Sequence, residues 1–303
     1  MNLPALAWTE LNQWKAITVT GDDKKSYLQG QVTCDLVTLD LGSSTLGAHC
    51  DAKGKMWSIF RLFNHAEGYA LWQPASGIDT AFTELKKYSV FSKVEMNISD
   101  AVSLGVLGEK AETFIDTLSE SRDSVRAIEG GSAVKVDDQR WLLLVDSNTA
   151  EQLKAKLTDT EQLDAGIWDG LDIAQGIPRI EAKDQSQHIP QNLNLQALGG
   201  VSFEKGCYTG QETVARAKYR GMNKRVMRII SGTAQGDSFE FERQVGENWR
   251  GAGEALAHYV AEDGTAMALI VVNKDLEDET KLRLKEAPEN IWKLEPLPYA
   301  LDD

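Results

Sequence analysis

Short apolar runs separated by polar stretches organise the first three quarters of the chain, and their spacing changes character near residue 225. Residues 16–19, Ala16-Ile17-Thr18-Val19, read as a strand, after which Asp22 or Asp23 can cap a helix running through Gln29. The stretches 56–63 and 69–72 read as paired strands around a turn at 64–68. Helical periodicity marks 78–88. A second set follows, with strands predicted over 103–107 and 141–145 and helices over 111–118 and 149–157. A helix is predicted over 168–175, stopped by Gly176 with Pro178 beyond it. Gly130-Gly131 and Gly199-Gly200 read as turns.

Past Arg225 only strand-like runs remain, over 226–230, 239–241, 255–260, 266–272 and 281–284. Even spacing of that kind predicts a small all-β barrel or sandwich. Upstream, helices alternate with strands and hairpins intervene, so the fold class is α+β and not a doubly wound parallel sheet. Three units are expected: an α+β domain over 1–100, a second over 101–225 and a β-barrel over 226–303.

A chain of 303 residues can form two or three modules with real cores. Its 42% apolar and 26% charged residues describe an ordinary soluble protein, and no apolar run approaches the length of a membrane span. Residues 1–10 lack the basic and apolar regions of a signal peptide. Cys34, Cys50 and Cys207 are too few and too scattered for a disulfide framework, so a reducing cytoplasm is expected. No C-x-x-C pair occurs, and His49, His65, His188 and His258 show no metal-ligand spacing, so no metal is expected. There is also no Walker loop and no dinucleotide-binding fingerprint.

The segment Lys205-Gly206-Cys207-Tyr208-Thr209-Gly210-Gln211-Glu212 is the richest in chemistry. It sets a lone cysteine between glycines, which suggest a turn needing positive φ or close approach. If the residues after Gly210 are helical, Cys207 lies ahead of a helix N-terminus. Unpaired amides there, with Lys205 and Arg216, would favour a thiolate. The alternative is an inert cysteine packed beneath the turn. Cys34 and Cys50 read as packing residues, and the adjacent His49 and Cys50 cannot both project from one strand face.

This segment, with Val214-Ala215-Arg216 behind it, resembles the K-G-C-[FY]-x-G-Q-E-x-x-x-R signature of the YgfZ family. The likeness continues in Thr20-Gly21-Asp22-Asp23 with Tyr27-Leu28-Gln29-Gly30-Gln31-Val32-Thr33-Cys34-Asp35, and in Ala48-His49-Cys50-Asp51-Ala52-Lys53-Gly54-Lys55-Met56. It continues further in residues 84–93, in Ile189-Pro190-Gln191 and in Glu295-Pro296-Leu297-Pro298-Tyr299. These blocks span nearly the whole chain. The resemblance implies T-protein-like α+β modules with mixed or antiparallel sheets around a central opening, plus a C-terminal β-barrel. It further implies binding of tetrahydrofolate or a one-carbon derivative, and support of iron–sulfur enzymes, including those that modify tRNA.

By the same resemblance, Cys207 is the functional thiol, with Lys205 lowering its pKa and Tyr208 placed to shield or orient it. Trp14 and Trp168 match positions associated with folate contact, and Tyr208 and Arg216 are assigned to the cofactor with them. Asp169, Asp172 and Glu181 are the candidate carboxylates for orienting a pterin, with no choice among them. The thiol is expected at a mouth of the folate cavity. The catalytic aspartate of the T-protein maps onto no matching motif here, so an accessory role is favoured over a one-carbon transferase. Direct contact with tRNA ranks last, because a net charge of −14 opposes indiscriminate nucleic-acid binding. Even so, residues 202–228 hold seven basic side chains against two acidic ones. That patch reads either as a solvated helix face or as an attractor for an anion such as a folate tail, a phosphate or RNA. Screening limits the opposing field of the rest to roughly 8 Å at physiological salt.

Overall fold

The computed structural model describes residues 2–221 and 223–301. Two sheets lie face to face, with helices on their outer sides. The first has five antiparallel strands in the order Ser44–Cys50, Met56–His65, Gly68–Pro74, Trp14–Thr20, Glu95–Ile98. The second has six, in the order Glu161–Gln162, Ala7–Glu10, Val102–Leu107, Arg140–Val145, Gly131–Asp137, Val125–Ile128. Only the pair Ala7–Glu10 with Glu161–Gln162 is parallel.

Alternation along each strand explains the layering. In the first sheet Ala16, Ala70 and Trp72 point to the second sheet, while Ile17, Val19, Leu62 and Leu71 pack beneath the helices Lys24–Gln29 and Ile78–Lys86. In the second, Leu142 and Leu144 point inward, and Trp141, Leu143 and Val145 pack under Ala111–Asp116 and Ser147–Lys156. Both faces are covered, which is why these strands read as continuous apolar runs in sequence.

The expected first unit, 1–100, is not closed on itself. Its opening strand Ala7–Glu10 pairs across Leu104 to Leu107 and belongs to the second sheet. Past residue 224 a seven-stranded antiparallel sheet curls into a half-barrel, in the order Asn248–Glu254, Glu240–Val245, Leu282–Leu284, Ile291–Glu295, Arg225–Thr233, Thr265–Asn273, Ala257–Val260. Its own core gathers around Trp292, Phe241 and Ile230. A separate apolar cluster, with Met227, Ile229 and Leu269 against Ile173, Leu193 and Val214, docks it onto the rest.

Local capping differs from expectation in one place. Asp23 sits at the N-terminus of Lys24–Gln29 without accepting from it, because its carboxylate accepts the Lys93 amide at 2.7 Å. Asp146, in contrast, accepts from Thr149 N at 2.8 Å and starts Ser147–Lys156.

Asp184 carries a testable pH signature. It is buried, its Oδ2 has no hydrogen-bond partner, and burial raises its carboxyl to about 6. The folded chain therefore binds this proton more tightly than the unfolded one, whose carboxyl titrates near its ordinary 3.8. The stabilisation is present in full below pH 3.8 and is lost as pH rises through about 6. Asp184→Asn is expected to flatten that part of the stability–pH curve and to gain on the order of 1–2 kcal/mol at pH 7.5. Urea unfolding at pH 5 and 7.5 checks it; parallel wild-type and variant curves would contradict it.

Candidate functional site

An aromatic cleft opens between the two sheets. Trp14 stacks on Trp72 with centroids 4.2 Å apart, and Trp168 meets the edge of Trp72 at 6.1 Å. Trp168 comes from the helix Gly166–Ala174 and enters the sheet interface because residue 105 is glycine. A Cβ there would lie 2.8 Å from the Trp168 ring, closer than packing allows. Leu46, Ile59 and Arg61 form another wall, and Pro178 and Arg179 close the rim.

A buried charge network backs the aromatics. Asp172 accepts from Arg140 Nη1 at 2.7 Å and from Arg179 Nη2 at 3.4 Å. Arg140 also reaches Asp137 at 2.7 Å, and Arg179 reaches Asp169 at 2.7 Å. Each guanidinium lies 4.9 Å from a ring centroid, Arg140 over Trp168 and Arg179 over Trp14. Burial works against the charge on Arg140, yet Asp172 and Asp137 together hold it above its ordinary value. Burial pulls the Arg61 guanidinium down to about 10 and pushes the Asp169 carboxyl up, in spite of Arg179. Trp14 Nε1, Trp168 Nε1, Arg179 Nε and Arg140 Nη2 are buried donors without a partner.

Of the three candidate carboxylates, the structure separates the roles. Asp172 is buried and both its oxygens are engaged. Glu181 is turned away, accepting from Ser76. Asp169 is partly exposed, and among the described residues only its Oδ1 is engaged.

The thiol lies elsewhere. Cys207 is exposed, in a loop that is laced to the turn after Gln29. Lys205 Nζ donates to Val32 O at 2.7 Å and Cys34 O at 2.6 Å, Ser202 N donates to Thr33 O at 2.9 Å, and Thr33 Oγ1 donates to Gly200 O at 2.6 Å. The loop ends at Gly210, whose φ of 85° and close approach to Asp51 O (2.6 Å from a Cβ placed there) exclude any side chain. From Gly210 the helix Gln211–Tyr219 starts on the Asp51 to Gly54 turn, and Gln191 Nε2 holds its Val214 carbonyl at 2.6 Å. Four motif blocks far apart in sequence thus meet around one short helix.

Several assignments are corrected by this geometry. Lys205 is buried and spent on two carbonyls, so its charge is not aimed at Cys207; burial lowers its ammonium to about 8. Tyr208 is buried under the same loop, 5.3 Å from the Lys205 ammonium, and Arg216 pairs with Glu212 at 2.5 Å on an exposed helix face. Neither lines the cleft that holds Trp14 and Trp168. The hairpin joining the two places has Leu46 at the cleft and Cys50 beneath Gly210, about 13 Å of strand apart. Cys34 and Cys50 are buried, and burial raises Cys34 to about 12 and Cys50 further still. Sequence reasoning missed Trp72, Arg61, Arg140 and Arg179. The only signal was a set of charges and an aromatic inside otherwise apolar runs.

No helix among the described residues is long and apolar enough to cross a membrane. The arrangement of sheets and half-barrel is that of the glycine-cleavage T-proteins. Aminomethyltransferase T of the glycine cleavage system from Bartonella henselae superposes with a TM-score of 0.72, covering 97% of this chain and 86% of that one at 14% identity, a likeness of fold. A family model described as YgfZ, beta-barrel domain, matches residues 223–287. Two proteins named tRNA-modifying protein YgfZ align end to end. That of Vibrio atlanticus is 55% identical over 100% of this chain and 95% of its own length, and that of Cronobacter sakazakii is 43% identical over 98% and 94%. The chain belongs to the YgfZ family.

Proposed function

We propose that the chain is a folate-binding accessory protein that supports iron–sulfur enzymes, those that modify tRNA among them. Full-length relatives named for tRNA modification support that part of the reading. The observation that carries the folate part is the cleft of Trp14, Trp72 and Trp168. Its chemistry suits a pterin, which offers a flat ring, a pair of N–H donors and a carbonyl oxygen. The free oxygen of Asp169 matches the donors, and the orphaned Trp and Arg N–H groups match the carbonyl.

Space is the constraint. The cleft leaves room of about 20 Å³ for the centre of a water molecule, where a single water needs about 10–15 Å³. Entry of a fused ring therefore requires the Trp14–Trp72 stack to part. Tryptophan fluorescence should then report binding directly, since three indoles change neighbours together.

Cys207, exposed and outside the lining of the cleft, acts on a partner in this reading and not on the pterin itself. Cys207→Ser is expected to keep the fold and folate affinity while losing support of a cluster enzyme in cells deprived of the wild-type copy. Unchanged support by the serine variant would contradict a functional thiol.

A further inference from the structure

A further cavity among the described residues serves neither the cleft nor the thiol. It has a volume of about 550 Å³, within the range of roughly 300–1,000 Å³ typical of small-molecule sites. It lies between the helix Gln211–Tyr219, the segment leading to the thiol loop, and the start of the half-barrel. Val201, Phe203 and Ala217 give it an apolar wall.

Two features set it apart from an ordinary surface dent. Its rim carries Lys218, Lys224 and Lys274 against Asp275, and none of the three lysines is in an ion pair among the described residues. Lys218 Nζ rests 3.9 Å from the Phe203 centroid, and Lys274 N is tied to Lys224 O at 2.8 Å, which fixes the rim. Gln191, 5% exposed, also lines it, and its Oε1 is buried without a donor. The orientation of that amide is set, because its Nε2 must be the atom that donates to Val214 O. Gln196, also on the lining, has a buried Oε1 without a donor as well.

We propose that this cavity binds a nucleotide, with the base against Phe203 and the phosphate among Lys218, Lys224 and Lys274. Rim and wall select that chemistry jointly. Cations at the rim attract an anion, and the Phe203 ring with Val201 and Ala217 takes a flat ring, which a bare phosphate lacks. A nucleobase supplies a π-face for the ring, and its phosphate reaches back to the rim. Lys218 already covers the Phe203 face, so a base taking that face releases the ammonium to the phosphate. Of the seven basic residues in 202–228, Lys205, Arg216 and Arg228 are spent on internal partners, and two of the remaining four, Lys218 and Lys224, line this cavity.

The ligand can be a free mononucleotide or one unit of single-stranded RNA, and the inference does not depend on folate binding. The test is calorimetric titration of the full chain at 50 mM salt with adenosine 5′-monophosphate, ribose 5-phosphate, inorganic phosphate and an adenylate octamer. Adenosine monophosphate should saturate one site. Ribose 5-phosphate, which lacks the base, should bind at least about tenfold more weakly. The triple variant Lys218→Ala, Lys224→Ala, Lys274→Ala changes only rim lysines and should weaken the mononucleotide at least about tenfold. Tighter binding of the octamer identifies RNA as the source, and equal binding a free nucleotide; either supports the site. Phosphate as tight as the mononucleotide, displacement of the mononucleotide by tetrahydrofolate, or no binding at all would overturn it.

Discussion

Replacing Asp172 by alanine is expected to destabilise the folded chain by about 3–5 kcal/mol, the range seen when one partner of a buried ion pair is removed. Arg140 is fully buried and Arg179 nearly so, and Asp172 is the carboxylate they share. Without it, Arg140 keeps Asp137, at the partly exposed end of a strand, and a 3.4 Å bond to the Trp168 carbonyl, and Arg61 loses the stronger of the two anions that oppose its burial. At roughly 2–4 °C per kcal/mol the midpoint of thermal unfolding should fall by about 10 °C. Asp172→Asn retains the shape but not the charge, so it should recover only a minor part of the loss. Near-UV circular dichroism measures this, because three indoles pack on the network. A loss below about 1 kcal/mol would mean that the guanidinium groups reach water or other anions, and that the network does not brace the cleft.

The second large effect is expected at Lys205. Lys205→Met leaves the carbonyls of Val32 and Cys34 buried with no donor, at a cost of about 1–3 kcal/mol for each such group. The damage should be local before it is global. Hydrogen exchange should accelerate over 30–35 and 203–209 together, since the lysine is the central tie between those two stretches. The stem of methionine fills much of the same volume, so the loss isolates the ammonium. Exchange that accelerates in only one of the two stretches would refute a shared lock. This role differs from the one its sequence position suggests: two residues from a cysteine, yet pointing the other way.

That reversal shows what the sequence can carry. Backbone period and turn residues were legible, so the paired strands Met56–His65 and Gly68–Pro74 and the stop of a helix at Gly176 follow from local chemistry. Strands that break the apolar pattern were not. Val125–Ile128 carries a fully buried Arg126, whose guanidinium is paired with Asp116 and Glu112 and lies 4.6 Å from the Trp141 ring. Asn248–Glu254 is an edge strand with almost no buried face. In both, long-range partners decide the conformation and leave no local trace.

For the candidate cleft, the pairing of two tryptophans was legible, whereas side-chain direction around the cysteine was not. Trp14 and Trp168, 154 positions apart, do share one cleft. Lys205, Tyr208 and Arg216, which are neighbours of Cys207 in sequence, serve the loop and helix around it instead. Trp72 and Arg179 escaped notice because nothing near them in sequence marks a pocket.

The most direct measurement is anaerobic calorimetric titration of the full chain with tetrahydrofolate, alongside Trp14→Ala and Cys207→Ser. The expected result is saturable one-to-one binding with a change in tryptophan fluorescence. Trp14→Ala should weaken it at least about tenfold, given that base-like stacking on an aromatic contributes about 1–3 kcal/mol, and Cys207→Ser should leave it unchanged. Absence of binding by folded wild-type protein, or equal affinity in Trp14→Ala, would contradict the aromatic cleft as a folate site.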